Sequence, residues 1–186
     1  MLSFKKLPRY VYDIISVNVM PDKSHEYWRD KLNLPLDFNW EKIHLLNFRC
    51  TIDSKLRSFY FKVFHRCIAL NDFLFKIRRK DSPNCTFCNK REETIIHILC
   101  ECYKVTPIWQ YLLSVILKKH DPRFTLANCE KIFGTCTDRY VSYLFLLLKY
   151  YIYLCKFQNN VPSITAYKSF VQNQKDTEYY LAKKKK

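Results

Sequence analysis

The clearest periodic stretch of the chain begins near Ser54. Leu56, Phe59, Tyr60, Val63, Phe64 and Cys67 fall at i, i+3, i+4, i+7, i+8 and i+11, which predicts a helix with one continuous apolar stripe. Asp53 or Ser54 stands where a cap belongs. Lys55, Lys62 and Arg66 collect within about 40° of one another on the other side, at ~100° per residue. The helix therefore packs one face and presents a basic edge, which reads either as a solvated face or as one that meets phosphates. A second candidate is "YVSYLFLLLKYYIYLC", residues 140 to 155, apolar nearly all round, with Lys149 and Lys156 seven apart on one side. That pattern predicts a core helix, or one seated against a partner. It carries a lysine and falls short of the ~20 residues that span a bilayer, so no membrane is expected.

Punctuation points the same way. Gly134 is the single glycine, and prolines at 8, 21, 35, 83, 107, 122 and 162 cut the chain into pieces of helix or helix-pair length. Hairpins want Asn-Gly or glycine turns, which are missing. The expected fold is mainly α, helical segments with little or no sheet, and no internal repeat is visible. The expected organisation is an N-terminal segment 1–39, a module 40–112 and a C-terminal helical segment 113–186 ending in the basic run "LAKKKK". With 48% hydrophobic and 17% aromatic residues the chain is expected to bury a core and not to be disordered.

Charge changes the picture. Lys and Arg number 32 against 17 Asp and Glu, a formal +15, which favours a polyanion as partner: RNA or DNA first, an anionic membrane second. No secretory signal is apparent, because the apolar stretch after Lys5, Lys6 and Arg9 is broken by Asp13 and offers no small-residue cleavage site. The expectation is an intracellular protein, nuclear or cytoplasmic and not secreted. There an odd count of nine cysteines is not a disulfide framework.

Four of those cysteines and one of five histidines lie within "CTFCNKREETIIHILCEC", residues 85 to 102. Cys85-x2-Cys88 lets two thiolates on a short turn reach one ion; His97 and then Cys102 complete Cys-x2-Cys-x8-His-x4-Cys, the donor set of a closed structural Zn²⁺ site. Asn89 can take the positive φ that such turns need. Glu92, Glu93 and Thr94 are expected to open a short helix carrying His97. On a continuing helix Cys100, at i+3, shares the histidine's face, whereas Cys102, at i+5, does so only where the helix ends or tightens. On spacing alone both stay open. A redox Cys-x-x-Cys wants a βαβ context that is not apparent. A zinc deaminase wants a His-x-Glu, and the chain has none. Plain buried thiols are the remaining alternative.

These residues carry a resemblance. "KLRSFYFKVFHRCIALNDFLFKI", the cysteine cluster and "VTPIW" are similar to the zinc-binding region downstream of the polymerase in LINE-type non-LTR retrotransposon reverse transcriptases. The pattern falls on Trp40, the helix from Lys55, Cys85 and Cys88, Glu92 to Thr94, His97, Cys102 and Trp109. "IFG" at 132 to 134 and the tyrosine-rich helix resemble the same elements' C-terminal tails more loosely. The resemblance implies Cys85, Cys88, His97 and Cys102 as zinc ligands, with Cys100 a neighbour, and a grip on template RNA or target DNA. It also implies a C-terminal fragment of a larger open reading frame, or a decayed copy.

No Asp-Asp pair is present to hold polymerase metals, and no endonuclease is recognisable, so catalysis and a small-molecule substrate are not expected. Candidate phosphate contacts are Lys55, Lys62, Arg66, Arg78, Arg79, Lys80, Lys90 and Arg91. Phe87 and Tyr103 are candidates for stacking on bases, although Phe87 suits core packing better. The alternative function is a structural piece that docks on the polymerase of the same element, or a translated relic with no independent role.

Overall fold

The structure is a computed structural model that describes residues 23–116, 126–134 and 139–183. It comprises two compact units, Met1–Phe38 and Asn39–Lys186. The described part of the first is helix α1, Lys23–Leu32, closed by Asn33 at φ 49°. Residues 1–22 of the expected N-terminal segment, and Lys184 to Lys186 of the terminal basic run, lie outside the described residues.

In the second unit every regular element is helical, and no strand occurs among the described residues. Helices α2 (Trp40–Arg49), α3 (Ser54–Phe64) and α4 (Asn71–Lys76) lead to the cysteine cluster; a π-helical turn, His97–Glu101, follows it. Helices α5 (Thr106–Ile116), α6 (Asn128–Phe133), α7 (Arg139–Phe157) and α8 (Ile164–Lys183) complete the unit.

Helix α3 starts as its sequence suggests. Asp53 caps it, Oδ1 accepting the Lys55 N–H at 2.8 Å, and Leu56, Phe59, Tyr60, Val63 and Phe64 are buried. The stripe stops one contact short of expectation. Arg66 adopts φ 58°, the left-handed conformation that ends a helix, and the Cys67 N–H reaches back to the Lys62 carbonyl at 2.8 Å. Cys67 is consequently exposed, and Arg66 leaves the face it would share with Lys55 and Lys62.

Helix α7 is the core, packed against α2, α3, α6, α8 and the π turn. Residues 141–149 are buried without interruption. Phe145 meets Trp109 of α5 edge to face, centroids 5.2 Å apart. Even its lysines are inside. Lys149 donates to the Ile132 carbonyl at the end of α6, and burial pushes its ammonium down to about 8. Helix α6 ends at Gly134, whose φ of +86° suits glycine, and whose missing Cβ would stand 3.1 Å from the Ser142 hydroxyl. Asn47 of α2 donates to the Phe133 carbonyl at 2.7 Å, and Lys131 donates to the Cys100 carbonyl at 3.3 Å, so α6 braces the back of the π turn. Helix α8 returns across the unit. Its Glu178 accepts the Thr51 hydroxyl and, at 3.1 Å, the Ile52 N–H just before α3.

Candidate metal centre

The first half of the cluster is a knuckle. The Cys85 N–H donates to the Arg91 carbonyl at 2.8 Å, the Asn89 N–H to the Cys85 carbonyl at 2.9 Å, and Asn89 sits at φ 53°. A single antiparallel bridge, Asn84 with Glu92, closes its neck. This fold of the chain turns the thiols of Cys85 and Cys88 inward, both buried.

The second half resolves the choice between Cys100 and Cys102 in an unexpected way. The helix neither ends nor tightens before Cys102; it widens. The Cys102 N–H donates to the His97 carbonyl at 2.8 Å, an i to i+5 bond, and residues five apart are thereby stacked on one side of the turn. His97 enters that turn with its N–H held by the Thr94 hydroxyl at 3.1 Å. Cys102 leaves it in extended conformation, and the turn is pinned by Trp109 Nε1 donating to the Leu99 carbonyl at 2.7 Å. Cys100 points elsewhere. It is buried toward Lys131 and Lys149, and burial pushes its thiol up to about 12.

The result is one buried group of four donors. The ligand atoms of Cys85, Cys88, His97 and Cys102 all lie within 4.8 Å of one another and could hold a metal ion. Cys85 Sγ is 3.9 Å from Cys102 Sγ, and Cys88 Sγ is 3.3 Å from His97 Nε2, which makes Nε2 the donor atom of the imidazole. Its Nδ1 is buried without a protein hydrogen bond among the described residues. Burial also holds the histidine's value below the ordinary one, so the ring is neutral and offers a lone pair. For the thiols, burial pushes Cys85 up to about 12 and raises Cys102. Burial opposes the Cys88 thiolate too, but the N–H groups of Lys90 and Arg91 help outweigh it and the value falls. Two buried sulfurs that resist ionising alone, beside one whose thiolate the backbone already favours, are a setting in which a divalent cation stabilises strongly.

Residues 24–109 match the family described as zinc-binding in reverse transcriptase. The match begins ahead of Trp40, within α1, and ends at Trp109, the residue that pins the π turn. No curated protein and no solved structure matches the chain.

The sequence did not reveal what anchors the cysteine–histidine cluster to the core. Glu93 does not open a helix. It is fully buried, its Oε1 accepting the Asn71 N–H at 2.9 Å and its Oε2 the Thr86 N–H at 2.6 Å. Lys156 of α7 pairs with it at 3.3 Å. The sequence signal was weak: Lys156 closes an apolar run, but Glu93 stands among Lys90, Arg91, Glu92 and Thr94, 63 positions away, and looks like any solvated acid.

Of the eight candidate phosphate contacts, all are exposed. Lys55 and Lys62 lie on α3, and Arg66 caps its end; Arg78, at φ 56°, Arg79 and Lys80 form the turn after α4, and Lys90 and Arg91 ride the knuckle. Phe87 is buried, whereas Tyr103, just after the last thiol, is 50% exposed. Among the described residues no helix is long and apolar enough to cross a membrane.

Proposed function

We propose that the chain is a zinc-organised nucleic-acid-binding module of a LINE-type non-LTR retrotransposon reverse transcriptase, lying C-terminal to the polymerase and not itself catalytic. Donor chemistry supports zinc. A tetrahedron with Zn–S near 2.3 Å and Zn–N near 2.0 Å has S···S edges of about 3.8 Å and S···N edges of about 3.5 Å. Separations of 3.9 and 3.3 Å fit it. Bound there, zinc would cross-link the knuckle to the π turn. Cys85, Cys88, His97 and Cys102 fill all four positions, leaving none for a substrate, which favours a structural role.

The observation that carries nucleic-acid binding is Tyr103. Its half-exposed ring has the ammonium groups of Lys90 and Lys104 each 5.2 Å from its centroid, so an aromatic face and two cations stand together beside the metal centre. A base can stack on the ring while phosphates meet the lysines and Arg91. The test is fluorescence anisotropy of the zinc-loaded chain with a labelled 20-mer across a salt series. Six phosphate contacts give a log-log slope of about −4 to −5, and Tyr103→Ala weakens binding roughly 5- to 100-fold. A flat salt response in the wild type refutes this reading.

Docking on a polymerase has its own support. Phe73, Phe75 and Ile77, on or just after α4, are 50%, 45% and 48% exposed, an apolar group rare on a self-sufficient surface. Self-association of the isolated chain in sedimentation would favour docking, and a monodisperse monomer would count against it.

A further inference from the structure

One surface outside the metal centre combines cations, hydroxyls and aromatic rings in a shape of its own. A shallow groove of about 480 Å³ runs between α3 and α7, lined by Ser54, Lys55, Ser58, Lys62, Phe59, Tyr150 and Tyr153. The two walls differ in chemistry. On α3, Lys55, Ser58 and Lys62 stand at i, i+3 and i+7 on one face, and the two lysines are about 10 Å apart along the axis. Neither has a salt-bridge partner among the described residues. On α7, Tyr150 and Tyr153 stand at i and i+3 with half-buried rings. Both rings are packed against other aromatic rings. Phe59 lies 5.2 Å from each, Phe157 is 4.7 Å from Tyr153, and Phe170 of α8 is 6.2 Å from Tyr150. Asp53, the carboxylate that acts on Tyr150, is buried and committed to capping α3.

We infer that this groove takes an unpaired nucleic-acid strand, with phosphates on Lys55 and Lys62 and bases against Tyr150 and Tyr153. The inference rests on the nucleic-acid reading above and extends it to a helix beyond residues 24–109. Charge selects a polyanion, since neither cation has an ion-pair partner among the described residues and the whole chain carries +15. The rings select among polyanions. A duplex keeps its bases stacked on one another and offers only phosphate, whereas an unpaired strand offers bases whose faces can cover fixed aromatic side chains. Rings already held by Phe59, Phe157 and Phe170 lose little freedom on contact.

The test uses the full zinc-loaded chain with labelled 15-mers of oligouridine, oligothymidine and a duplex. The expected result is competition by either single strand and much weaker competition by the duplex, with a tighter RNA or DNA arm identifying the natural strand. Lys55→Gln with Lys62→Gln lowers the single-strand salt slope by about 1.4. Tyr150→Leu with Tyr153→Leu, which keeps apolar packing, weakens single-strand binding roughly 5- to 100-fold. Circular dichroism and zinc content verify folding, and the exposed lysine pair carries the test if the tyrosine variant does not fold. Unchanged slope in the lysine variant, or equal competition by duplex, overturns the inference while leaving general nucleic-acid binding intact. A wild type that binds no strand at all overturns both.

Discussion

Lys156 Nζ lies 3.3 Å from Glu93 Oε1, and both side chains are withdrawn from water, 6% and 0% exposed. One belongs to the core helix and the other directly follows the knuckle, so the pair joins the candidate metal centre to the hydrophobic core. Breaking such a pair from one side strands a buried charge. Lys156→Met is therefore expected to destabilise the chain by about 3–5 kcal/mol in urea unfolding. Adding Glu93→Gln, which removes the stranded charge and keeps an acceptor for one of the Asn71 and Thr86 N–H groups, should recover part of that loss. A single variant as stable as the wild type would show the pair to be incidental.

Metal content separates the two late cysteines. Cys102→Ser is expected to abolish stoichiometric zinc and unfold the chain around the cluster, since structural zinc contributes about 10–16 kcal/mol in small domains. Cys100→Ser should keep one zinc and cost about 1–2 kcal/mol, because it places a hydroxyl in a buried site otherwise occupied by a thiol. Zinc analysis of both proteins, purified under reducing conditions, decides the matter.

Proton release reports on the same ligands. Burial raises Cys85 to about 12 and raises Cys102, and it keeps His97 neutral, so near pH 7 the ion displaces protons from thiols and none from the imidazole. Binding should tighten as pH rises, with at most three protons released per zinc, measurable with an indicator dye. Release of four would mean a charged histidine in the metal-free protein.

Lys149 gives a pH signature of the opposite origin. Burial lowers its folded value to about 8, below the ~10.4 of an unfolded chain. Between those values the unfolded state holds more protons, so this residue's penalty is present below pH 8 and fades as pH rises. The stability of wild type relative to Lys149→Met should increase by on the order of 1–2 kcal/mol between pH 7.5 and 9.5. Taking the difference removes most of the opposing effect of Cys50 and Cys100, whose buried thiols are pushed up to about 11 and about 12. A difference that does not vary with pH would place the ammonium in contact with water.

Local patterns were legible in the sequence, and long-range partners were not. The stripe from Leu56 to Phe64, the cap at Asp53 and the positive φ of Asn89 each follow from the residue and its near neighbours. The core position of α7 follows from its composition. Arg66 was misplaced because an arginine in the left-handed conformation carries no glycine-like signal. Glu93 was misplaced because its partners, Asn71, Thr86 and Lys156, are assembled only by tertiary packing. The π turn lies between these cases: the mismatch between His97 and Cys102 was visible, but relief by widening depends on Trp109 and Lys131 bracing the carbonyls of Leu99 and Cys100 from outside.

That turn sets a rotational phase. A π turn is an α-helical turn with one residue too many, and everything after it is indexed by that extra residue. Removing Glu101 would shorten the spacing to His-x3-Cys, which an ordinary helix already brings onto one face. A chelating pair would survive, yet the start of α5 would be turned by about 100° against the core. Trp109 would then swing off the Leu99 carbonyl and away from Phe145. The extra residue is thus less a requirement of a metal than a gear tooth, timing the cysteine–histidine cluster to the helices behind it.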